Sequence, residues 1–317
     1  MKTLSKYFTL FLALLCACDD ILEEDITNDT VQIIAPVSNA SIEGNTVLFL
    51  WQSIDGADSY RIQITNEELT STIDTLVSNT ELKYTLNTGN YQWRVRAENF
   101  AYQSTYTFPV NFSVKETNDL SGQSVALQAP SENLYTNTAI TIFNWDAINT
   151  AEHYNFQLIK KTTTGEQTIF QEANIMSNAI TIEASLLNED AAYGWRVKAV
   201  NTTSESAFSE RSFYLDTTVP NQPSLSEPAN ENTVSPSIVT FNWTNGSDTG
   251  AVTSEITNTL DIATDNSFNN IIHSENTVNN TLQYEFTTPN TYYWRVVAMD
   301  AASNKSDYST IRSIIVE

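Results

Sequence analysis

The sequence predicts an all-β protein built from three tandem β-sandwich modules. Its six tryptophans form three pairs, in which the first closes a short apolar run and the second opens the tripeptide Trp-Arg-Val. The pairs are Trp51 and Trp93, Trp145 and Trp195, and Trp243 and Trp294. Successive first tryptophans lie 94 and 98 residues apart, which is typical of a tandem array. Apolar and polar residues alternate around each tryptophan, as they do in half-buried strands.

Residues 1–17 predict a secretory signal peptide. Lys2 and Lys6 provide its positive start, and an apolar stretch follows that is too short to span a bilayer. The stretch ends in Leu15-Cys16-Ala17-Cys18, which resembles the lipobox of bacterial lipoproteins, although Cys16 stands where a small residue is usual. The resemblance implies that Cys18 receives lipid and becomes the first residue of the processed chain. An ordinary signal peptide with two incidental cysteines is the alternative.

An acidic segment, residues 18–30, follows the signal and predicts a tether. Its acidic residues are Asp19, Asp20, Glu23, Glu24, Asp25 and Asp29. The cluster directly after Cys18 resembles the export signal of surface-exposed lipoproteins in the Bacteroidetes group. The resemblance implies an outer membrane lipoprotein displayed at the cell surface. The alternatives are a merely solvated tether and retention on the periplasmic face.

The charge of the chain excludes several partners. Removal of residues 1–17 takes away Lys2 and Lys6 and no acid, which changes the formal charge from -23 to -25. This charge repels nucleic-acid phosphates and anionic lipid headgroups. We therefore expect no nucleic-acid partner and membrane attachment only through lipid on Cys18. The chain after Cys18 contains no cysteine for disulfides, metal binding or catalysis.

Three modules fill the remainder of the chain, at residues 31–115, 125–216 and 224–317. Polar connectors separate them. In the first module the alternating apolar residues are Val47, Phe49 and Trp51, then Tyr60, Ile62 and Ile64, then Trp93, Val95 and Ala97. The third module departs most from this pattern, because an insert near residues 245–256 displaces its middle strand.

These residues resemble the fibronectin type III family, whose domains are seven-stranded, immunoglobulin-like β-sandwiches. In that family a tryptophan lies on the second strand, and the sixth strand starts with a tyrosine whose hydroxyl caps the preceding corner and closes with an asparagine. The matching residues are Trp51, Trp145 and Trp243; Tyr91, Tyr193 and Tyr292; and Asn99 and Asn201. The third copy departs from the closing asparagine, since Asp300 stands there. The resemblance implies that the six tryptophans and three tyrosines form the structural core. It covers about residues 31–317 and specifies a fold rather than a ligand.

Catalytic motifs are absent from the sequence, and we expect neither enzymatic activity nor a cofactor. His153 and His273 occupy non-equivalent positions, and no Ser/His/Asp order, phosphate-binding glycine loop or Cys/His ligand spacing occurs. Asp261, Asp265 and Asn266 are close enough in sequence to suggest a cation site. Turn chemistry explains them as well, so we predict no metal site.

One stretch points to ligand contact. The presumed loop between the last two strands of the first module carries Phe100, Tyr102 and Tyr106. Exposed aromatic residues on such a loop suit contact with a sugar or a protein. The alternative is that Phe100 or Tyr106 folds back to cover a module junction. The sequence thus predicts non-catalytic binding or adhesion to glycan or protein, with a structural spacer or accessory subunit of a cell-envelope complex as the alternative.

Overall fold

The computed structural model describes residues 23–68 and 72–317, and the described chain is all-β apart from a short 3-10 turn at Ala184–Leu186. The predicted signal peptide, Cys18 and the start of the predicted tether lie outside the described residues. The described chain forms two compact units that divide between Glu116 and Thr117. The first unit is one β-sandwich and the second contains two, so the predicted class of three tandem sandwiches is confirmed.

The first sandwich has eight strands in the described residues. They are β1 (Ile33–Ala35), β2 (Ala40–Glu43), β3 (Thr46–Trp51), β4 (Ser59–Asn66), β5 (Thr72–Val77), β6 (Glu81–Thr85), β7 (Gly89–Glu98) and β8 (Val110–Lys115). One sheet has the strand order β1-β3-β6, and the other has the order β2-β8-β7-β4-β5.

The second sandwich repeats this arrangement. Its strands are β9 (Leu127–Ala129), β10 (Leu134–Thr136), β11 (Ile142–Trp145), β12 (His153–Thr162), β13 (Gly165–Ile175), β14 (Ala179–Thr181), β15 (Ala191–Val200) and β16 (Ser209–Leu215). The strand orders are β9-β11-β14 and β10-β16-β15-β12-β13.

The third sandwich repeats it again. Its strands are β17 (Ser224–Glu227), β18 (Asn232–Val234), β19 (Ile238–Thr244), β20 (Thr257–Ala263), β21 (Ile271–Thr277), β22 (Thr281–Glu285), β23 (Asn290–Met299) and β24 (Arg312–Val316). The strand orders are β17-β19-β22 and β18-β24-β23-β20-β21.

A proline divides the first strand of each copy, which gives more strands than the seven implied by the family resemblance. In the first copy β1 pairs antiparallel with β3, and β2 pairs parallel with β8 in the opposite sheet. Pro36 lies between the two halves, as Pro130 and Pro228 do in the other copies. Because proline has no N–H to donate, it interrupts a ladder at a sheet edge. The edge strand therefore crosses from one sheet to the other at this residue.

Each core lies between the two sheets of its copy and is built on the tryptophan pair. All six tryptophan side chains are at most 2 % exposed. The second tryptophan of each pair lies opposite an aliphatic residue of the neighbouring strand, in the pairs Ile64 and Trp93, Leu158 and Trp195, and Ile262 and Trp294. Three separate clusters of buried side chains result, one for each described sandwich.

A tyrosine fixes the corner before β7, β15 and β23. In each copy its hydroxyl donates a hydrogen bond of 2.8–2.9 Å to a backbone carbonyl four residues upstream. The pairs are Tyr91 and Asn87, Tyr193 and Glu189, and Tyr292 and Thr288. The rings of Tyr193 and Tyr292 are buried, whereas that of Tyr91 is half-buried.

Two of the segments predicted to be polar tethers or connectors belong partly to the sandwiches. Ile26 and Val31 are buried in the first core. Leu120 and Val125 are buried in the second. Each of these two cores therefore includes one apolar residue, Ile26 or Leu120, that precedes the predicted start of its module at residue 31 or 125. Within the predicted tether, Ile26 packs into the first core and the Glu24 carbonyl accepts a hydrogen bond from Asn99.

We expect Trp195→Ala to destabilise the second sandwich by about 3–5 kcal/mol, because the indole is fully buried and its loss leaves a cavity. Denaturant unfolding followed by circular dichroism measures the effect. Met176→Ala is a suitable control, since Met176 is exposed in the same sandwich and its replacement should change stability by less than about 0.5 kcal/mol. An unchanged midpoint for Trp195→Ala would contradict the assignment of this residue to the core.

Candidate functional site

The loop that follows β7 exposes several aromatic side chains. Phe100 is 93 % exposed, Phe108 is 94 % exposed and Tyr102 is 36 % exposed, whereas Tyr106 is half-buried. The ring of Phe100 therefore points into solvent. The three residues predicted to contact a ligand thus lie in one loop but in different environments.

Tyr106 has a structural role that recurs in the other copies. The guanidinium carbons of Arg94 and Arg96 lie 4.3 and 4.7 Å from the centre of its ring. The arginine of each Trp-Arg-Val tripeptide covers an aromatic ring in the same way, in the pairs Arg94 and Tyr106, Arg196 and Phe208, and Arg295 and Tyr308. Such cation–π contacts stabilise by about 0.5–1 kcal/mol at exposed sites. Tyr106 is therefore part of the repeated framework.

Phe100 has no such counterpart in sequence. It directly follows the closing position of its copy, Asn99, and the residues that follow the corresponding positions are Thr202 and Ala301. The loop conformation thus does not require an aromatic residue at this place. Phe100 is the clearest candidate for ligand contact among the predicted residues.

Hydrogen bonds hold the base of the loop. The Asn99 side-chain oxygen accepts from the N–H of Ala101 at 3.2 Å and of Tyr102 at 2.7 Å. At its far side, Ser104 exchanges hydrogen bonds with Ala97 of β7, both at 2.9 Å. Hydrogen bonds at both ends therefore hold the loop in a defined conformation.

A partly buried ion-pair network lies at the end of β7, next to this loop. Glu98, the last residue of β7, accepts from Arg61 at 2.8 Å and lies 2.7 Å from Arg96. Burial raises the pKa of Glu98, but the hydrogen bonds from Arg61 and Arg96 outweigh it and hold the pKa below its ordinary value. Since Arg96 also covers Tyr106, the network connects the end of β7 to the loop.

The closing asparagines also bind the chain that leads into each copy. The Asn99 amide donates to the carbonyls of Glu24 at 2.9 Å and Gly56 at 2.8 Å. In the second copy the Asn201 amide donates to the carbonyls of Asn118 at 2.9 Å and Thr150 at 3.1 Å. One amide group thus joins two backbone segments in both copies.

Three aspartates occupy the same positions in the third copy. Asp300 lies six residues after Trp294, as Asn99 and Asn201 lie after their tryptophans. Asp216 lies twelve residues before Pro228, and the equivalent positions in the first and second copies are Glu24 and Asn118. Asp248 lies five residues after Trp243, and the equivalent positions are Gly56 and Thr150. One carboxylate oxygen of each aspartate lies within 4.8 Å of the others. Asp216 and Asp300 are buried, and Asp248 is half-buried.

Hydrogen bonds satisfy part of this acidic cluster, which we define as Asp216, Asp248 and Asp300. Asn304 donates from its backbone and from its side chain to the two oxygens of Asp300, each at 2.8 Å, and its amide also reaches the Asp216 carbonyl. Thr218 N–H donates to Asp216 Oδ1 at 3.1 Å, and Ser254 N–H donates to Asp248 Oδ2 at 2.6 Å.

Two oxygens of the cluster, Asp216 Oδ2 and Asp248 Oδ1, are buried and have no hydrogen-bond partner among the described residues. Burial raises the pKa of Asp216 above its ordinary value. The hydrogen bond from Thr218 opposes this rise, and the charges of Asp248 and Asp300 add to it. Sequence reasoning missed the cluster because its members are far apart in the chain. Alignment of the three copies at these positions would have found it.

The acidic residues first suspected of cation binding have other roles. Asp265 accepts from the N–H groups of Ser267, Asn269 and Asn270 at 2.8–3.2 Å, which is the turn chemistry considered from sequence. Asp261 lies 3.2 Å from Arg295 in a largely buried ion pair. The two aspartates thus serve a turn and an ion pair.

A polar cleft of about 480 Å³ lies at the start of β7 and was not predicted. Asn39, Glu67, Asn90 and Asn111 contribute amide and carboxylate groups to its wall. Such groups suit hydrogen bonding to a polar ligand. β7 is ten residues long, which corresponds to about 30 Å, so the cleft and the aromatic loop lie at opposite ends of the strand.

Comparison with known proteins shows similarity at the level of fold. No family model matches the chain, and no curated protein matches it. Among solved structures, the chain is similar to the crystal structure of the FN1–FN3 domains of chicken CNTN1, with a TM-score of 0.44 and 12% identity over 90% of this chain and 97% of that chain. The paired sheets, their strand order and the tyrosine corners make each copy a sandwich of the fibronectin type III/immunoglobulin-like kind.

We expect Tyr106→Ala to destabilise the first sandwich by about 1–2 kcal/mol, because it removes the ring that Arg94 and Arg96 cover. Phe100→Ala should change stability by less than about 0.5 kcal/mol, since the ring is almost fully exposed. Urea unfolding of the two variants measures the difference. Equal destabilisation by both changes would contradict the division between a framework residue and a contact residue.

Proposed function

We propose that the protein is a lipid-anchored cell-envelope protein, displayed at the outer membrane surface, that binds a glycan or protein non-catalytically. The observation that carries this proposal is the exposure of Phe100 and Phe108 on a loop whose base is held by hydrogen bonds. Exposed aromatic rings on a rigid loop offer large contact area at little entropic cost.

These exposed rings do not contribute the stability that burial would give them, so folding alone gives no reason for their presence. Burial of a phenylalanine stabilises a protein by about 1.5–3 kcal/mol relative to exposure. The residue that follows the closing position is Thr202 in the second copy and Ala301 in the third, so a smaller residue is compatible with this fold. Ligand contact gives a reason for an aromatic residue at Phe100 that folding does not.

The position of the loop indicates where such a ligand would be found. Asn99, at the base of the loop, binds the carbonyl of Glu24. Glu24 follows Cys18 by six residues, which span at most about 20 Å when fully extended. A lipid on Cys18 would therefore keep the loop near the membrane surface. We infer a partner that lies close to the membrane rather than at the distal end of the chain.

A spacer or accessory subunit is the second candidate, favoured by the connector between the second and third sandwiches. The Asp190 carboxylate accepts from the hydroxyls of Thr217 and Thr218, both at 2.8 Å. Asn304 of the third sandwich donates to the Asp216 carbonyl at 2.8 Å. A connector held in this way suits a protein that positions other components.

We expect Cys18→Ala to release the protein from membranes, because it removes the thiol that would accept lipid. Cys16→Ala is the matched control, since it changes a neighbouring cysteine and creates the small residue that lipoboxes usually have. Fractionation of cells that express each full chain measures attachment. Membrane attachment that survives Cys18→Ala would contradict the anchor.

Binding through the loop predicts that the full chain recognises a defined glycan or envelope protein on a glycan array or in a surface pull-down. Replacement of Phe100 and Tyr102 by alanine should weaken that binding at least about tenfold, which corresponds to 1.4 kcal/mol or more. Met176→Ala, an exposed position on the second sandwich, should leave it unchanged. Silence of the unaltered chain in both assays would support the spacer instead.

A further inference from the structure

We propose that the acidic cluster of Asp216, Asp248 and Asp300 binds one Ca²⁺ ion where the second sandwich leads into the third. Ca²⁺ binds oxygen ligands at about 2.3–2.6 Å, so two oxygens on one ion can be at most about 5 Å apart. One oxygen from each of the three carboxylates falls within 4.8 Å of the others. The three groups can therefore share one ion without a large rearrangement.

The burial of Asp216 is a second, independent observation that points to a bound cation. Its side chain is fully buried, and its Oδ2 atom finds no hydrogen-bond donor anywhere in residues 23–68 and 72–317. Buried carboxylates are normally paired or coordinate a metal. The charged groups that influence Asp216 are Asp248, Asp300 and Asp190, all of them acidic. A cation at the cluster would satisfy the free oxygen and neutralise the mutual repulsion.

The other two copies show why local turn structure does not explain these residues. There the positions of Asp216 and Asp248 take part through their backbone carbonyls, which accept from one asparagine amide. Any residue type could serve in that way. In the third copy the amide is replaced by Asp300, which cannot donate, and both partner positions carry carboxylates. A cation takes the place of the neutral amide donor as the group shared by these positions.

The ligand set favours Ca²⁺ over other metals. Carboxylate oxygens without histidine or cysteine suit hard cations. Mg²⁺ keeps several of its waters and is rarely held by a cage made only of protein, whereas Ca²⁺ accepts six to eight oxygens in flexible geometry. Asp216 directly follows β16, and the other two aspartates lie in loops of the third sandwich. Bound Ca²⁺ would therefore stabilise the junction of these two sandwiches.

Calorimetric titration of the full chain with CaCl₂, after treatment with EDTA, tests the proposal together with thermal unfolding with and without the ion. We expect one site with a Kd of about 1 mM or tighter, as in extracellular calcium modules, and a rise in Tm with Ca²⁺. Absence of binding heat and of any Tm shift up to about 10 mM CaCl₂ would overturn the proposal. An equal response to MgCl₂ would overturn the choice of Ca²⁺.

Two variants locate the site. Asp248→Asn should weaken Ca²⁺ binding at least tenfold. Asp300→Asn should do the same while the protein remains folded, because it restores the residue found at this position in the other copies. Asp307→Asn removes the same charge at an exposed position of the third sandwich and should bind as the unaltered chain does. Unchanged affinity in the folded Asp300→Asn variant would place any bound ion elsewhere and contradict the assignment.

Discussion

Burial of a tryptophan pair between two sheets is the constraint on which each copy depends. The first indole lies on the three-stranded sheet and the second on the five-stranded sheet, and both are almost completely removed from water. An indole buries about 150–250 Å² of surface, so each pair buries about 300–500 Å² at the centre of its core. Around this core the tyrosine hydroxyl fixes one corner of each copy, and the closing asparagine of the first two copies binds two backbone segments.

The same closing position is used for different purposes in the three copies. In the first two an asparagine amide joins two backbone segments. In the third copy Asp300 stands at this position and lies close to the carboxylates of Asp216 and Asp248. The hydrogen bond to the backbone carbonyl of Asp216 comes from the Asn304 amide instead. Directly after this position the first copy carries an exposed Phe100, whereas the others carry small or polar residues. These differences between the copies therefore lie at the end of the sandwich where β7, β15 and β23 terminate, outside the buried cores.

The fold was predictable because its determinants are local patterns that repeat. Alternation around Trp51 and Trp93 identified strands, and recurrence of the pattern identified three modules. The split first strand was missed, because the position of Pro36 between two half-strands depends on the pairing of β2 with β8, far along the chain. The contribution of Ile26 to the core was also missed, since one apolar residue among acids resembles a tether until its burial is known.

The candidate sites were less predictable. Tyr106 belongs to the framework because Arg94 and Arg96 of β7 cover its ring, whereas Phe100 remains exposed. Sequence spacing alone did not reveal the contact between these arginines and Tyr106. The acidic cluster joins residues 216, 248 and 300, whose proximity depends on how the second sandwich leads into the third. The suspected aspartates at 261 and 265 were close in sequence but serve an ion pair and a turn. Side chains that are near in space but distant in sequence need the assembled fold to be recognised.

Quenching of tryptophan fluorescence by acrylamide tests the central constraint most directly, because the six indoles report on all three cores and a neutral quencher is not repelled by the negative charge of the chain. The account predicts that the native chain is quenched far less than free tryptophan and that full quenching appears only when the sandwiches unfold in denaturant. Native indoles quenched as readily as free tryptophan would contradict it.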